Sequence, residues 1–183
     1  MKKLMITPFL AIFLLVATSC VRNTDFDQMD DVVITPVAEL SLILFDTPAS
    51  DFIDEDTNEE VTITDEAEIT FLNGTDTQKY LVRADFFFEF TNSISRSFDV
   101  IFEFLDTDGN STYTIEIDVA PGTLQSPRTT IREESVVNED IIRLTQANRV
   151  RSTVTIPSSN VDLEGNLKLK SKATLYLEID TEQ

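Results

Sequence analysis

The chain has 183 residues and a formal net charge of −19, with 33 acidic residues against 14 basic ones. It has no histidine, no tryptophan and a single cysteine, so Ser-His or Cys-His catalysis and zinc sites of His and Cys are excluded within this chain. Nucleic acid is disfavoured as a partner, because phosphate binding requires a basic surface.

The N-terminus has the features of an export signal. Lys2 and Lys3 precede an uninterrupted apolar stretch, FLAIFLLVA at 9–17, and two small residues follow it. A membrane-spanning helix needs about 20 apolar residues, and this stretch is much shorter. We therefore interpret residues 1–19 as a signal peptide.

The motif Ala17-Thr18-Ser19-Cys20 resembles the lipobox of bacterial lipoproteins, although those sequences usually carry leucine where Ala17 stands. The resemblance implies cleavage before Cys20 and attachment of lipid, including palmitate, at this residue. More than one acyl chain gives stable anchoring in a bilayer. Val21 follows the cysteine, which favours the outer membrane and leaves open which face the protein occupies. The alternative is an ordinary secreted protein with a free thiol.

Beyond the cysteine, the pattern changes from a tether to a domain. Residues 20–31 are polar and acidic, and we interpret them as a tether. Residues 32–183 show the alternation of apolar and polar side chains that is typical of half-buried strands. The alternating segments in chain order are 40–44, 61–64, 69–71, 80–90, 98–104, 113–119, 150–156 and 167–179.

Short strands at these intervals predict an all-β fold, an antiparallel β-sandwich of seven to eight strands, with a small barrel as the alternative. The sequence Asp106-Thr107-Asp108-Gly109-Asn110 predicts a hairpin turn. Asn138 can cap a short helix over 139–147. Phe87 has the parity of the polar side chains in its strand, so we expect it at an edge, beneath the helix or in a contact surface.

An acidic segment at 51–65 is the best candidate for a metal site. Its oxygen-bearing side chains follow calcium-loop positions 1, 3, 5, 7 and 12, and Ca²⁺ takes six to eight oxygen ligands. Glu59 stands where an EF-hand needs glycine, and no helices flank the segment, so a solvated acidic loop is the simpler interpretation. The candidate ligands are Asp54, Asp56, Asn58, Glu60 and Asp65.

Charge is distributed unevenly along the chain. Residues 20–127 carry 24 acids and four bases, whereas residues 128–183 carry nine acids and eight bases. Three of those bases, Lys168, Lys170 and Lys172, share one face of the last long strand. We expect this row to guard a sheet edge or to neutralise acids across the sheet, with a docking strip for an acidic partner or polysaccharide as the alternative.

The signal, the acidic stretch Asp25-Phe26-Asp27-Gln28-Met29-Asp30-Asp31 and the following Thr35-Pro36 resemble small lipoproteins of the Bacteroidota. The segment from Phe90 to Asn110 is similar to hairpins of immunoglobulin-like domains in such proteins. The resemblance implies an envelope compartment and an immunoglobulin-like sandwich. We expect a non-catalytic binding or structural module, anchored to the bilayer through Cys20, whose partner is another envelope protein or a glycan. The alternative is a Ca²⁺-dependent adhesive module.

Overall fold

The computed structural model describes residues 33–53, 61–157 and 162–180. Residues 34–179 form one compact unit. The strands are β1 Val33–Ile34, β2 Val37–Pro48, β3 Val61–Glu68, β4 Leu81–Asn92, β5 Phe98–Leu105, β6 Ser111–Val119, β7 Arg128–Val137, β8 Arg149–Ile156, β9 Asn166–Leu177 and β10 Ile179–Asp180. A 3₁₀ helix spans Ala49–Phe52, and two α-helices span Thr75–Tyr80 (α1) and Glu139–Leu144 (α2).

The strands pair in a nested order. β5 pairs with β6, β4 with β7, β3 with β8 and β2 with β9, all antiparallel. Further pairing of β4 with β9 and of β5 with β8 gives two four-stranded sheets, β2-β9-β4-β7 and β3-β8-β5-β6. The expected antiparallel β-sandwich is therefore confirmed.

The connectivity corrects one detail of the expected fold. An immunoglobulin domain pairs strands ABED and CFG, so that consecutive strands often lie side by side. Here β5 and β6 are the only consecutive strands that pair within the two four-stranded sheets, and the nested order of eight strands is that of a jelly roll. This strand order shows that the immunoglobulin-like assignment was wrong. Alternation could not have revealed the order, because it predicts which side chains face inward and not which strands are neighbours.

Phenylalanine rings form the centre of the core between the sheets. The ring centroids of Phe88 on β4 and Phe102 on β5 lie 4.6 Å apart in a stacked arrangement, and those of Phe86 and Phe104 lie 5.1 Å apart. Burial of such rings contributes most of the hydrophobic stabilisation of a small sandwich. Alternation over 98–104 and 113–119 predicts that every second residue, starting from Phe98 and Tyr113, faces inward. This is confirmed for β5 and β6, except that Tyr113 is only partly buried.

Two β-bulges change the parity that a uniform alternation would give. The register of β2 shifts between Ser41 and Leu44, which leaves Leu44 67% exposed. The register of β4 shifts after Leu81, which leaves Val82 exposed while Leu81 is buried. A bulge inserts one extra residue, so every side chain on one side of it moves to the opposite face. Uniform alternation over 40–44 and 80–90 predicts that Leu44 faces inward with Leu40 and that Val82 faces inward with Ala84, and both predictions are wrong.

The bulge in β2 is held by a buried hydroxyl of β9. Ser171 Oγ donates to the Ile43 carbonyl oxygen at 2.8 Å and accepts from the Ile43 amide at 2.9 Å. We expect Ser171→Ala to lower the free energy of unfolding by about 1–3 kcal/mol, because both backbone groups lose a partner. Urea unfolding would measure this, with the exposed Ser41→Ala as the control. An equal effect of the two substitutions would contradict this role for Ser171.

Several local predictions are confirmed and others are corrected. The turn after β5 forms as expected, with Gly109 at a φ of +85° and Asp106 Oδ1 accepting from the Asn110 amide at 2.8 Å. Helix α2 lies within the predicted 139–147 and ends at Leu144, but Asn138 at its N-cap makes no side-chain capping bond. Residues 69–71 are not a strand. Helix α1, which ends at Tyr80, was not predicted from the sequence.

Candidate functional site

Most of the residues singled out from the sequence lie outside the described part of the chain. These include the signal peptide, the tether, Cys20 and four candidate calcium ligands, Asp54, Asp56, Asn58 and Glu60. The fifth candidate, Asp65, lies on β3 opposite Ser152, and its Oδ1 accepts from the Glu66 amide at 3.0 Å. Within 33–53, 61–157 and 162–180, no group of three or more His, Cys, Asp and Glu side chains could hold a metal ion.

The calcium hypothesis therefore remains a prediction that rests on the sequence. If the acidic segment binds Ca²⁺, millimolar calcium should raise the melting temperature, because a ligand that binds only the folded state stabilises it. The double substitution of Asp54 and Asp56 by alanine should abolish the shift. An unchanged melting temperature of the parent protein in calcium would rule out this hypothesis.

The row of lysines lies in the middle of a sheet and faces acids on both neighbouring strands. The Lys168 Nζ lies 2.8 Å from Asp46 on β2, Lys172 lies 3.6 Å from Glu39 on β2, and Lys170 lies 3.9 Å from Glu89 on β4. Because β9 lies between β2 and β4, the row does not guard an edge. Neutralisation of acids across the sheet is the interpretation that the structure supports.

The outer face of the β2-β9-β4-β7 sheet carries a groove with a volume of about 680 Å³. The register of the four strands places its side chains in rows across the sheet. One row runs from Tyr176 to Arg83, the next from Glu39 through Thr174 and Asp85 to Ser135. A third row contains Lys172, Phe87 and Glu133.

A hydrogen-bonded cluster fixes one end of the groove. Arg83 donates from Nε and Nη2 to the two carboxylate oxygens of Asp85 at 2.7 and 2.6 Å. Ser135 Oγ, across the sheet on β7, donates to Asp85 Oδ1 at 2.7 Å. The Arg83 guanidinium also lies 4.9 Å from the centroid of the Tyr176 ring. A bidentate pair of this kind sets the orientation of both side chains.

These contacts give the cluster a pH dependence. The bonds from Arg83 lower the pKa of Asp85 below its usual value of 3.8, and the bond from Ser135 adds to this. The stabilisation that these bonds give is fully present above the pKa that Asp85 has in the unfolded chain, and it is lost as pH falls through the lower pKa that Asp85 has in the folded protein. We therefore expect Asp85→Asn to lower the free energy of unfolding at pH 7, and we expect this loss to become smaller from pH 4 downwards. Urea unfolding of both proteins at several pH values would measure this, and a constant difference would contradict it.

The middle of the groove combines an aromatic ring with charged groups. Phe87 is only partly buried, and its neighbours across the sheet are Lys172 on β9 and Glu133 on β7. Glu134, the next residue, is held away from this row, because its Oε1 accepts from the Tyr113 hydroxyl at 2.9 Å. Burial raises the pKa of Tyr113 to about 12, so this hydroxyl remains a donor at neutral pH.

Only part of this groove is predictable from the sequence. The parity of Phe87 singles it out, and the structure places it on the outer face of β4, in the lining of the groove. Strand β7, with Glu133 and Ser135, is not predicted, because Val136 is the only fully buried side chain of that edge strand. The available signal was parity, since Tyr176 and Phe87 are both aromatic residues at polar positions of alternating strands.

No protein-family model matches the chain, and no curated protein matches it. A protein of Parabacteroides distasonis described as secreted is similar in structure, with 14% identity, a TM-score of 0.44 and coverage of 64% of this chain and 38% of that one. The VP2 subviral particle of infectious bursal disease virus has 12% identity and a TM-score of 0.46, with 78% and 32% covered. The tailspike protein 4 domain of bacteriophage CBA120 has 11% identity and a TM-score of 0.38, with 83% and 20% covered.

The chain spans between a fifth and two fifths of the length of these three structures. Among the described residues, no helix is long and apolar enough to cross a membrane.

Proposed function

We propose that this protein is a lipid-anchored, non-catalytic binding module of the cell envelope, and that the groove on the outer face of the β2-β9-β4-β7 sheet binds a neutral glycan. The observation that carries this proposal is the groove itself. It sets the partly exposed Phe87 ring among side chains with hydrogen-bonding groups, on four rigid strands. Sites built on strands hold their side chains more firmly than sites on loops.

The chemistry of the groove fits a sugar. A pyranose ring presents an apolar C–H face that packs on an aromatic ring, and its hydroxyls both donate and accept hydrogen bonds. Phe87 provides the apolar surface, Glu133 provides acceptors and Lys172 provides donors in the same row across the sheet. The net charge of −19 repels acidic polysaccharides over long range, which favours a neutral glycan.

Removal of the Phe87 ring should abolish most of the binding. Soluble neutral polysaccharides, such as glucans, mannans and galactans, would be cast into native gels, and retardation of the protein would be measured for each. We expect at least one of them to retard the parent protein, and Phe87→Ala to weaken the affinity about tenfold or more, which corresponds to about 1.4 kcal/mol.

Ile131→Ala is the matched control, because Ile131 is an exposed apolar residue of the same sheet that does not line the groove. It should leave the retardation unchanged. Equal retardation of the parent protein and Phe87→Ala by every polysaccharide would refute glycan binding at this groove.

The anchor is tested separately. Cys20→Ser should move the protein from the membrane fraction to the soluble fraction, since the lipid would have no attachment point. A variant that still sediments with membranes would contradict the lipoprotein assignment. Protease treatment of intact and lysed cells would then distinguish a surface-exposed domain, cleaved in both, from a periplasmic one, cleaved only after lysis.

A further inference from the structure

The sandwich has two sides where the edge strands of its sheets face each other, and different elements cover the core there. On one side, helix α2 packs against β6 and β7 and buries Ile141 and Leu144. The opposite side, which we call the β2–β3 seam, lies between β2 and β3, the other edge strands of the two sheets. The 3₁₀ helix Ala49–Phe52 contacts both strands there and buries Ala49 and Phe52. The side chains of Ile43, Phe45 and Ile63, which the two strands contribute, are only partly buried.

The β2–β3 seam contains a cavity of about 380 Å³ whose walls come from both sheets. Its apolar lining residues are Ile43, Leu44, Phe45, Phe52, Ile63 and Val154, and its polar ones are Thr47, Thr64, Asp65 and Ser152. A volume of this size accommodates one or two large apolar side chains of another segment.

Both strands that border the seam also have free backbone edges. Among the described residues, β2 pairs only with β9, and β3 pairs only with β8. An edge strand presents a row of unpaired N–H and C=O groups, which a further extended segment can satisfy. The 12 residues of β2 include the bulge between Ser41 and Leu44, whereas the eight residues of β3 pair with β8 without a register shift, so β3 offers the more regular edge.

Charge indicates the nature of that segment. Residues 37–53 and 61–68 contain six acids and no base. Three of these acids form ion pairs with bases of β8 and β9, and within the described residues the other three, Asp51, Asp65 and Glu68, form none. Asp65 shares the parity of Val61 and Ile63 and lines the cavity, and no described base lies within ion-pair distance of it. A carboxylate without an ion-pair partner in the lining of a cavity attracts a cationic side chain.

We propose that the β2–β3 seam docks an extended basic segment of a partner protein, which adds as a strand to this edge, inserts an apolar side chain into the cavity and places a Lys or Arg against Asp65. A second copy of the chain would bring acids against acids. The chain's own residues 20–32 are likewise acidic, with four aspartates and one arginine. Like charges of this kind disfavour both occupants.

The test uses the full chain in detergent micelles and a labelled, amidated seven-residue peptide that alternates lysine with valine and leucine. Fluorescence anisotropy would give its affinity. We expect binding by this peptide, and at least tenfold weaker binding by a twin with glutamate in place of lysine and by a scrambled peptide of the same composition. Asp65→Lys should weaken binding of the basic peptide at least tenfold. Glu116→Lys, an equal charge reversal on the exposed face of β6, should change it less than twofold.

Hydrogen exchange locates the peptide. We expect slower amide exchange in Val37–Pro48 or Val61–Glu68 when the peptide binds, and no change in β6 and β7. The proposal is overturned if the peptide does not bind, if it binds Asp65→Lys as tightly as the parent, or if protection appears elsewhere. Protection of the outward amides of β2 before any peptide is added would also overturn it, since the seam would then be covered by the chain itself or by a second copy.

Discussion

Replacing Gly122 with alanine is expected to lower the free energy of unfolding by about 3 kcal/mol or more, or to prevent folding. Gly122 lies between β6 and β7, and its amide donates to the Ile94 carbonyl oxygen at 2.9 Å. A Cβ atom at this position would lie 1.9 Å from the backbone oxygen of Asn92 and 2.9 Å from the Arg128 amide nitrogen. Both obstacles are backbone atoms of strands, so a side-chain rotation cannot relieve the clash.

The neighbourhood of Gly122 makes relaxation costly. Asn92 is fully buried, and its Nδ2 donates to the carbonyl oxygens of Arg96 and Ala120 at 2.8 and 2.9 Å. Movement of the Asn92 backbone would break these bonds and leave buried polar groups unpaired.

Gly74→Ala is the matched control, because a Cβ there meets only the Thr77 Oγ1 at 3.8 Å and the residue already has a negative φ. Gly74 is the N-cap of α1, where alanine is less favourable than glycine, and this cost opposes the gain from a more restricted unfolded chain. The substitution should therefore change the free energy of unfolding by less than about 1 kcal/mol. Urea unfolding of both variants would measure the difference, and similar stability of the two would contradict the described packing at Gly122.

Phe88→Ala is expected to destabilise the protein by about 3–5 kcal/mol, the range for removal of a fully buried aromatic ring. Phe88 is 1% exposed, and its ring stacks on Phe102 of the opposite sheet. The substitution removes the contact with Phe102 and leaves a cavity beside Phe86, whose ring centroid lies 6.5 Å from that of Phe88. The rigid strands on both sides cannot collapse into it.

The adjacent Phe87→Ala is the control for Phe88→Ala. Phe87 points to the outer face and is only partly buried, so its removal creates no internal cavity and should cost much less. Thermal or urea unfolding of the two variants would give the loss of stability that each substitution causes. A larger loss at Phe87 than at Phe88 would mean that the faces of β4 are assigned the wrong way round.

Sequence periodicity predicted this part of the fold well because burial alternates along β4, β5 and β6. It failed where the alternation is interrupted or absent. The β2 bulge depends on a hydroxyl of Ser171, which lies 128 residues away along the chain, so no local pattern around Ile43 could reveal it. Strand β7 escaped notice because an edge strand buries few side chains and here carries mostly charged and hydroxyl residues.

The candidate groove was less predictable than the core. A ligand-binding face consists of side chains from several strands, and its composition depends on which strands are neighbours. Phe87 was recognisable from its parity alone, whereas its juxtaposition with Lys172 and Glu133 required the pairing of β4 with both β9 and β7. The sequence pattern contains no such pairing information.

The nested pairing has a consequence for the order of folding. β9 lies between β2 and β4, so Val37 meets Tyr176 only after almost the whole domain has been synthesised. The hairpin of β5 and β6, closed by a turn of a few residues, is the one paired unit of the two four-stranded sheets that can form locally, and every further pair closes a longer loop. Such a high contact order makes folding slow, with the first long strand among the last to be fixed. A nascent chain that lacks Asn166–Leu177 therefore has no central strand in one sheet and stays incompletely folded until its C-terminal part arrives.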